Sequence, residues 1–600
     1  MTPSPEELAP LPPALSSMWR LCKLGYRREP RLMLLSFLLS QLAALPDALL
    51  ALWLWLLSKG VLLHRPAWIE IAALGLGVST AATWFLRTIS TRVQRRFRDR
   101  VTIALESHVA QLQATVVTVA HQERPEYLDR LAMLRNHVFV LDHMYMSLFS
   151  TLGWILRLGV TMALLASIHP ALLLLALFAI PTVWMSNWRP EVEKVAQERG
   201  APAQRLARHL FTIATTAAPG KEVRVTGIGE RLVNDRRAAW QRWFTPVSAA
   251  RWGTAWWLAL GWAIFGLAYV GAVVFVSSFL RAPASSVLLV LAAGARLSAY
   301  IGATVGEIGF LRGIWMDGSR RLAWLEDYAA SVAAQGDLTP PQALQQGVRL
   351  DHVSFAYPGT ARLVLEDVSL LFPAGAVVAI VGENGAGKST LVKLLAKMYE
   401  PSSGKILVDD VPLSRLSAAE WRTRLAGAFQ DFFRFEFRAM HTVGLGDVAR
   451  IDDQPAVDSA VARAGASDVI ARLQSGLDTQ LGTTWPDGVE LSFGQWQKLA
   501  LARGFMRDQP LLLILDEPTA ALDAETEHAL FEQYARAAKE SLNTGRITLL
   551  VSHRFSTVRM ADLIVVLDGA HLVEMGTHED LMAKNGQYAE LYGIQANAYR

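Results

Sequence analysis

Cysteine is almost missing from this chain: Cys22 stands alone among 600 residues. One thiol closes no intrachain disulfide and builds no thiolate metal cluster, which excludes disulfide-stapled scaffolds and cysteine-bound metal modules. A strong charge of one sign is lacking as well. Lys and Arg total 58 against 54 Asp and Glu, a formal +4. That is too little for this length to mark a nucleic-acid surface, so no nucleic-acid partner is expected. The beginning lacks a cleavable signal: it is Pro-rich, then basic (Arg20, Lys23, Arg27, Arg28, Arg31), with no short apolar core and no small-residue cleavage site.

What is present in excess is apolar residues, 52% of the chain, and they are unevenly placed. Before about residue 310 they form long runs; after about residue 345 they form short runs broken by Gly, Pro and charge, the texture of a soluble α/β domain. A bilayer core takes about 20 apolar residues per helix. Candidate spans are 32–57, 69–86, 146–168, 171–188, 255–279 and 285–305. A buried soluble helix imitates one such run but not six in succession, so the first half is expected to be an α-helical membrane domain in contact with the lipid bilayer.

Basic residues orient it. Between the second and third runs lies Arg87-Thr-Ile-Ser-Thr-Arg-Val-Gln-Arg-Arg-Phe-Arg-Asp-Arg100, and the connection after the fourth is also basic, whereas those around His64, His169 and Arg281 are short. Both long connections and both termini are therefore expected in the cytosol of a multi-pass protein of the cell membrane. The long connections have few breakers and apolar residues three and four apart, so the membrane helices are expected to continue beyond the bilayer. Trp53, Trp55, Trp84, Trp184 and Trp188 read as interface anchors. Asp47, Arg157 and Arg296 fall near mid-membrane, where charge is costly and faces a partner or a polar cavity. Two readings stand: a structural ion pair of Asp47 with one arginine, or a substrate path in which an arginine meets an anionic or polar part of the cargo.

The second half carries chemistry. Val377-Val-Ala-Ile-Val381 reads as a buried strand, followed by Gly382, Glu383, Asn384, Gly385, Ala386, Gly387, Lys388, Ser389 and Thr390 opening a helix. This is the phosphate-loop pattern: glycines let backbone N–H groups converge on phosphate oxygens, and the helix N-terminus adds its dipole. Lys388 is placed to reach the β- and γ-phosphates of a nucleoside triphosphate, and the Ser389 hydroxyl to ligate Mg²⁺. Further on, Leu511-Leu-Leu-Ile-Leu515 reads as a doubly buried parallel strand ending in Asp516 and Glu517. Asp516 would hold Mg²⁺, and Glu517 would polarise the attacking water.

Between these lies Leu491-Ser492-Phe493-Gly494-Gln495. With it, the sequence resembles an ABC ATPase, and the motif order matches that family. The resemblance implies that Tyr357 stacks on adenine and that Gln430 touches Mg²⁺ and senses the membrane domain. It also implies that Ser492, Gly494 and Gln495 cap the γ-phosphate of the opposite subunit, that Asp523 communicates between sites, and that His553 contacts the γ-phosphate. ATP and Mg²⁺ are the implied cofactors, with Glu517 and His553 catalytic. Two positions depart from the family pattern: Phe493 replaces a signature glycine, and Ala520 stands where exporters often have serine. A bulky residue at 493 is expected to alter the backbone angle or closure and give an active but slow ATPase.

Six spans fused to one such ATPase resemble an ABC half-exporter, similar to bacterial lanthipeptide, multidrug and lipid exporters. The expected layout is a cytosolic segment over 1–31, a membrane domain over 32–328, a linker over 329–346 and an ABC nucleotide-binding domain over 347–600. Because a signature motif completes another subunit's site, the resemblance implies a dimer, a homodimer being favoured by the retained Glu517 and His553. Coupling helices are implied near 121–130 and 221–231. ATP binding would close the ATPase dimer and hydrolysis would reset it. Resemblance of 123–130, 221–227 and 488–498 to a lanthipeptide-exporter subgroup suggests a modified peptide as cargo; a lipid or hydrophobic drug is the rival. No leader-cleaving peptidase is expected ahead of the first span. A soluble ABC ATPase acting on DNA or ribosomes is excluded by the six spans, an ATP-gated channel is disfavoured by Glu517, and an importer by the fused layout.

Overall fold

The computed structural model describes residues 10–124, 127–128, 130–131, 134, 141, 143–217, 219–311, 315–333, 336–517, 545–552 and 558–598. The chain divides by its packing into two units, one of Ala9–Leu112 and Arg130–Glu326, the other of Met1–Leu8, Gln113–Asp129 and Asp327–Arg600.

Among the described residues, six helices are long and apolar enough to cross a membrane: Pro30–Leu62, Pro66–Thr115, His143–Ala166, Pro170–Thr215, Gly229–Phe279 and Ala284–Gly309. Helices are the expected solution, because in lipid each backbone donor must find its acceptor within the segment. The second holds 50 residues, so it is about 75 Å long, more than twice the roughly 30 Å hydrocarbon thickness. The basic run from Arg87 to Arg100 is part of this single helix, as the sparse breakers predicted. The first span is not straight. It is helical over Pro30–Ala48 and again over Leu50–Leu62, with the break one turn after Pro46, whose missing N–H removes a rung. The fifth ends in a π-turn over Phe275–Phe279. Leu165, Leu172, Leu175, Phe265, Leu289 and Leu297 are buried in the shared core.

Of the tryptophans read as anchors, Trp84, Trp184 and Trp188 are exposed on their helices, whereas the indole N–H of Trp53 donates to Ser79 Oγ at 2.8 Å. Trp53 therefore serves helix-to-helix packing rather than an open rim.

The second unit is α/β. Its strands are β1 (Gly347–Ala356), β2 (Leu363–Pro373), β3 (Val377–Gly382), β4 (Ser403–Val408), β5 (Val411–Pro412), β6 (Leu425–Ala428), β7 (Leu512–Asp516), β8 (Ile547–Val551), β9 (Leu563–Asp568) and β10 (His571–Gly576). An antiparallel sheet runs β2-β1-β4-β5, and a second sheet runs β10-β9-β3-β8-β7-β6. In the second sheet β9, β3, β8, β7 and β6 are parallel, and β10 is the antiparallel edge. Every residue of β7 and β8 is buried, which is why these strands read as unbroken apolar runs.

Segment 113–124 also belongs here. The Val119 N–H donates to Met398 O at 3.1 Å, Arg422 donates to the carbonyls of Val117 and Lys397, and Val119 and Ala120 pack on the core formed by Leu391, Leu395 and Trp421. His121 is buried edge-on against Tyr127, 4.7 Å between ring centres.

Candidate nucleotide site and membrane cavity

The C-terminal ends of the adjacent parallel strands β3, β8 and β7 meet at one edge of the sheet, where ligands of open α/β sheets bind. After β3 the chain turns at Gly382, with φ +152°, where a Cβ would lie 2.1 Å from Leu567 O. At Gly387 φ is +98° and a Cβ would meet Val364 O at 2.7 Å. These two glycines let the loop close against β9 and β2 before helix Lys388–Leu395 begins. The Lys388 ammonium is folded into the loop, donating to Gly382 O at 2.8 Å and Glu383 O at 2.9 Å. Burial pulls it below the usual lysine range, opposed by the nearby Glu517 and Asp516 carboxylates.

Asp516 ends β7. Burial pushes its carboxyl above the usual aspartate range, a hydrogen bond from Ser389 counters this, and Glu517 and Asp431 add repulsion. Its Oδ1 is buried without a hydrogen-bond partner. Glu517 sits at φ +45°, its N–H donating to Val551 O at 3.0 Å, so the chain leaves the strand abruptly and the carboxylate swings back over the loop. Gln430 follows β6 and its amide donates to Glu517 Oε2 at 2.8 Å. Tyr357 shares a hydrogen bond of 2.9 Å with Thr390 Oγ1, and its ring is held edge-on by Phe355 and Tyr399.

A cavity of about 900 Å³ is lined by Tyr357, Asn384, Gly385, Gly387, Lys388, Ser389, Thr390, Gln430 and Glu517. Arg362, Leu363, Val364, Gly569 and Ala570 complete the wall, and sequence reasoning missed them. They lie at the start of β2 and in the β9–β10 turn, tied together by the Glu366 N–H donating to Ala570 O at 2.9 Å, and no fixed spacing announces them. Gly382, Glu383 and Ala386 shape the loop behind the wall. His553, Ala520 and Asp523 lie outside the described residues.

Ser492 caps helix Phe493–Gly504. Its Oγ accepts the Gln495 N–H at 3.3 Å, and its own N–H donates to Gln495 Oε1 at 2.8 Å, a closed capping box. Phe493 and Gly494 are the first two helical residues, and neither has positive φ. The expected backbone distortion at Phe493 is therefore absent: this position does not need glycine's freedom.

The mid-membrane charges converge. Asp47 Oδ1 accepts from Arg296 at 2.5 Å and Oδ2 from the Tyr300 hydroxyl at 3.0 Å. Arg296 also donates to Asp47 O at 3.0 Å, next to the break in the first span. Arg157 Nε is 3.2 Å from Oδ2 without the angle of a hydrogen bond, and its guanidinium lies over Trp154 at 4.4 Å. The pair expected of one arginine is thus a cluster of two. Asp47, Arg157 and Arg87 line a polar cavity of about 290 Å³ with Ser40, Ser90, Gln94 and Trp154.

A phosphate loop ending β3, a carboxylate pair ending β7 and a capped helix placed beside Gln430 define a nucleoside-triphosphate-binding domain, here in one chain with six membrane-crossing helices. Residues 365–520 match the ABC transporter family, so the second half of the chain carries an ABC-type ATPase domain. The ATP-dependent lipid A-core flippase of Pseudomonas fluorescens (strain Pf0-1) is 42% identical over 252 residues, 42% of this chain and 40% of that protein. That of Cupriavidus metallidurans (strain ATCC 43123 / DSM 2839 / NBRC 102507 / CH34) is 43% identical over 265 residues, 44% of this chain and 43% of that protein. The chain thus spans about two fifths of the length of the curated relatives it matches. A bacterial Atm1-family ABC exporter with ATP bound shares the fold, with a TM-score of 0.73 and 24% identity over 95% of this chain and 98% of that one.

Proposed function

We propose that this protein uses ATP to export a lipid-like amphiphile across the cytoplasmic membrane, working as a dimer, with the ATPase domain and both termini in the cytosol. The observation that carries the reading is the placement of Lys388, Gln430 and Glu517 around one cavity, with Asp516 beside them at the end of β7, in a chain that also carries six apolar spans. The glycine loop and Lys388 would hold the phosphates, and Tyr357 with Val364 would hold the base. Ser389, Asp516 and Gln430 offer hard oxygen donors, and the orphaned Asp516 Oδ1 is the kind of atom a divalent cation satisfies. These residues would hold Mg²⁺, which would supply positive charge against the triphosphate. Glu517, oriented by Gln430, would accept a proton from the attacking water. His553 keeps its proposed γ-phosphate role by family resemblance.

Ser492 and Gly494 open a helix N-terminus, which would cap a partner's γ-phosphate, so a lone copy would hold an incomplete site. Segment 120–123 and helix Gly220–Thr226, which buries none of its residues, are the proposed coupling elements.

For cargo, two lines favour a lipid over the modified peptide. The two relatives described above, which match over about two fifths of their length, are named as lipid A-core flippases. In the membrane cavity a single carboxylate, Asp47, faces both Arg296 and Arg157, and Arg87 lines the same wall, so positive charge is in surplus there. An anionic headgroup fits that surplus, and the lipid tail fits the apolar helix faces. The test is reconstitution in vesicles of defined lipids, with ATPase stimulation and inside-to-outside transfer compared for anionic lipids, zwitterionic lipids and peptides. Stimulation by peptides alone would reject the lipid reading.

A further inference from the structure

A glycine at position 493 would leave the start of the signature helix bare; Phe493 does not. Its ring centre lies 5.5 Å from that of Phe432, inclined by 40°, and 5.8 Å from the Arg434 guanidinium. Arg434 in turn lies 3.8 Å from Glu490, and Glu490 Oε1 accepts the indole N–H of Trp496 at 3.3 Å. Trp496 is buried one turn into the same helix. The stretch after Gln430 is thereby fastened to the signature helix by an aromatic contact, a cation over a ring, an ion pair and an indole hydrogen bond.

Phe432 stands two residues from Gln430, whose amide donates to Glu517 at 2.8 Å. We infer that Phe493 is a positioning residue: through Phe432 it holds the Gln430 segment so that Glu517 and the capped Ser492 keep a fixed spacing within one domain. Phe493 touches neither nucleotide nor metal in this role. It fits the ordinary helical backbone already noted, so the side chain costs no strain at the position. The effect is on turnover rather than on capture of ATP, because Tyr357 and the phosphate loop, which hold the nucleotide, lie elsewhere on the cavity wall.

The inference rests on the ATPase reading above, and the experiment separates the two. In the full-length protein in lipid nanodiscs, kcat and KM for ATP are measured for Phe493→Ala, Phe432→Ala, the double variant, Phe493→Tyr and Glu517→Gln, each with its thermal midpoint. Each alanine is expected to lower kcat about threefold to tenfold with KM within about twofold, the span that one aromatic pair supports. The double variant should be no slower than the worse single, and Phe493→Tyr, which keeps a ring, should restore wild-type kcat. Losses that multiply in the double variant, or a lowered thermal midpoint with kcat unchanged, would overturn the positioning role. Because glycine is what the family pattern places there, Phe493→Gly is a second variant compatible with folding, with the same loss expected. Hydrolysis surviving Glu517→Gln would overturn the assignment of Glu517 and this coupling with it; hydrolysis that depends on Glu517 alongside multiplying losses would overturn the coupling alone.

Discussion

The two units solve opposite problems with polar groups. In the ATPase unit, polarity is placed by the backbone. Gly382 and Gly387 bend the loop, the end of β7 aims Asp516, and a positive φ turns Glu517 back over the cavity. In the membrane unit, polarity is placed chiefly by side chains: Asp47, Arg157 and Arg296 come from three different helices and meet beside the break in the first span. Chemistry on a triphosphate needs donors at fixed intervals along one loop, so it leaves a pattern in the chain. Recognition of cargo needs only that separate helices present compatible groups, so it leaves none.

That difference yields predictions of graded size. The largest effect is expected in the ATPase unit. Glu517→Gln should lower phosphate release by about 10² or more while bound ATP persists, by analogy with loss of a single preorganised catalytic group; a variant that turns over normally would show that backbone placement does not mark the catalytic group. Next comes Asp47→Asn. Removing the carboxylate leaves Arg296 and Arg157 facing each other in a half-buried site, and a loss of about 1–3 kcal/mol is expected, short of the cost of a fully buried broken pair. It would appear as a lower thermal midpoint in detergent, and an unchanged midpoint would mean the cluster serves cargo rather than fold. Arg157→Ala should split the units: basal ATPase within about twofold, but stimulation by anionic lipid reduced roughly tenfold, the scale of one charge-assisted contact. If stimulation survives in this variant and in Arg296→Ala, the cavity is not on the path. The smallest change is expected for Tyr357→Phe, which keeps the ring but loses the bond to Thr390. A KM rise of about twofold to fivefold corresponds to one ordinary hydrogen bond.

The fold was legible where one rule governed a long stretch. Apolar run length revealed six spans, and the run Leu511–Leu515 read as a doubly buried strand, which β7 matches to within one residue at each end. The phosphate loop, Asp516, Glu517 and Gln430 were legible as motifs and fall together in the structure because each follows or ends a strand of one sheet. Arg362, Val364 and Ala570 were not, because they reach the cavity wall by the pairing of β2 with the β9–β10 turn, a contact across some 200 residues of chain. The break at Leu49 had a visible cause in Pro46, yet its partner Arg296 did not. At Phe493 the sequence raised an expectation of backbone distortion that the helix start does not bear out, since position 493 is the first residue of an ordinary turn.

The packing of segment 113–124 against Met398, Trp421 and Arg422 has a practical corollary for anyone who cuts or grafts this protein. The ATPase is continuous in space but not along the chain, so a fragment beginning near residue 336 would be an unfinished body with a bare apolar groove. Such a fragment should aggregate unless a peptide spanning 113–129 is supplied in trans. A chimera exchanging catalytic halves between transporters would have to carry both pieces, because the boundary between Leu112 and Gln113 falls at the end of the helix Pro66–Thr115, far along the chain from the linker.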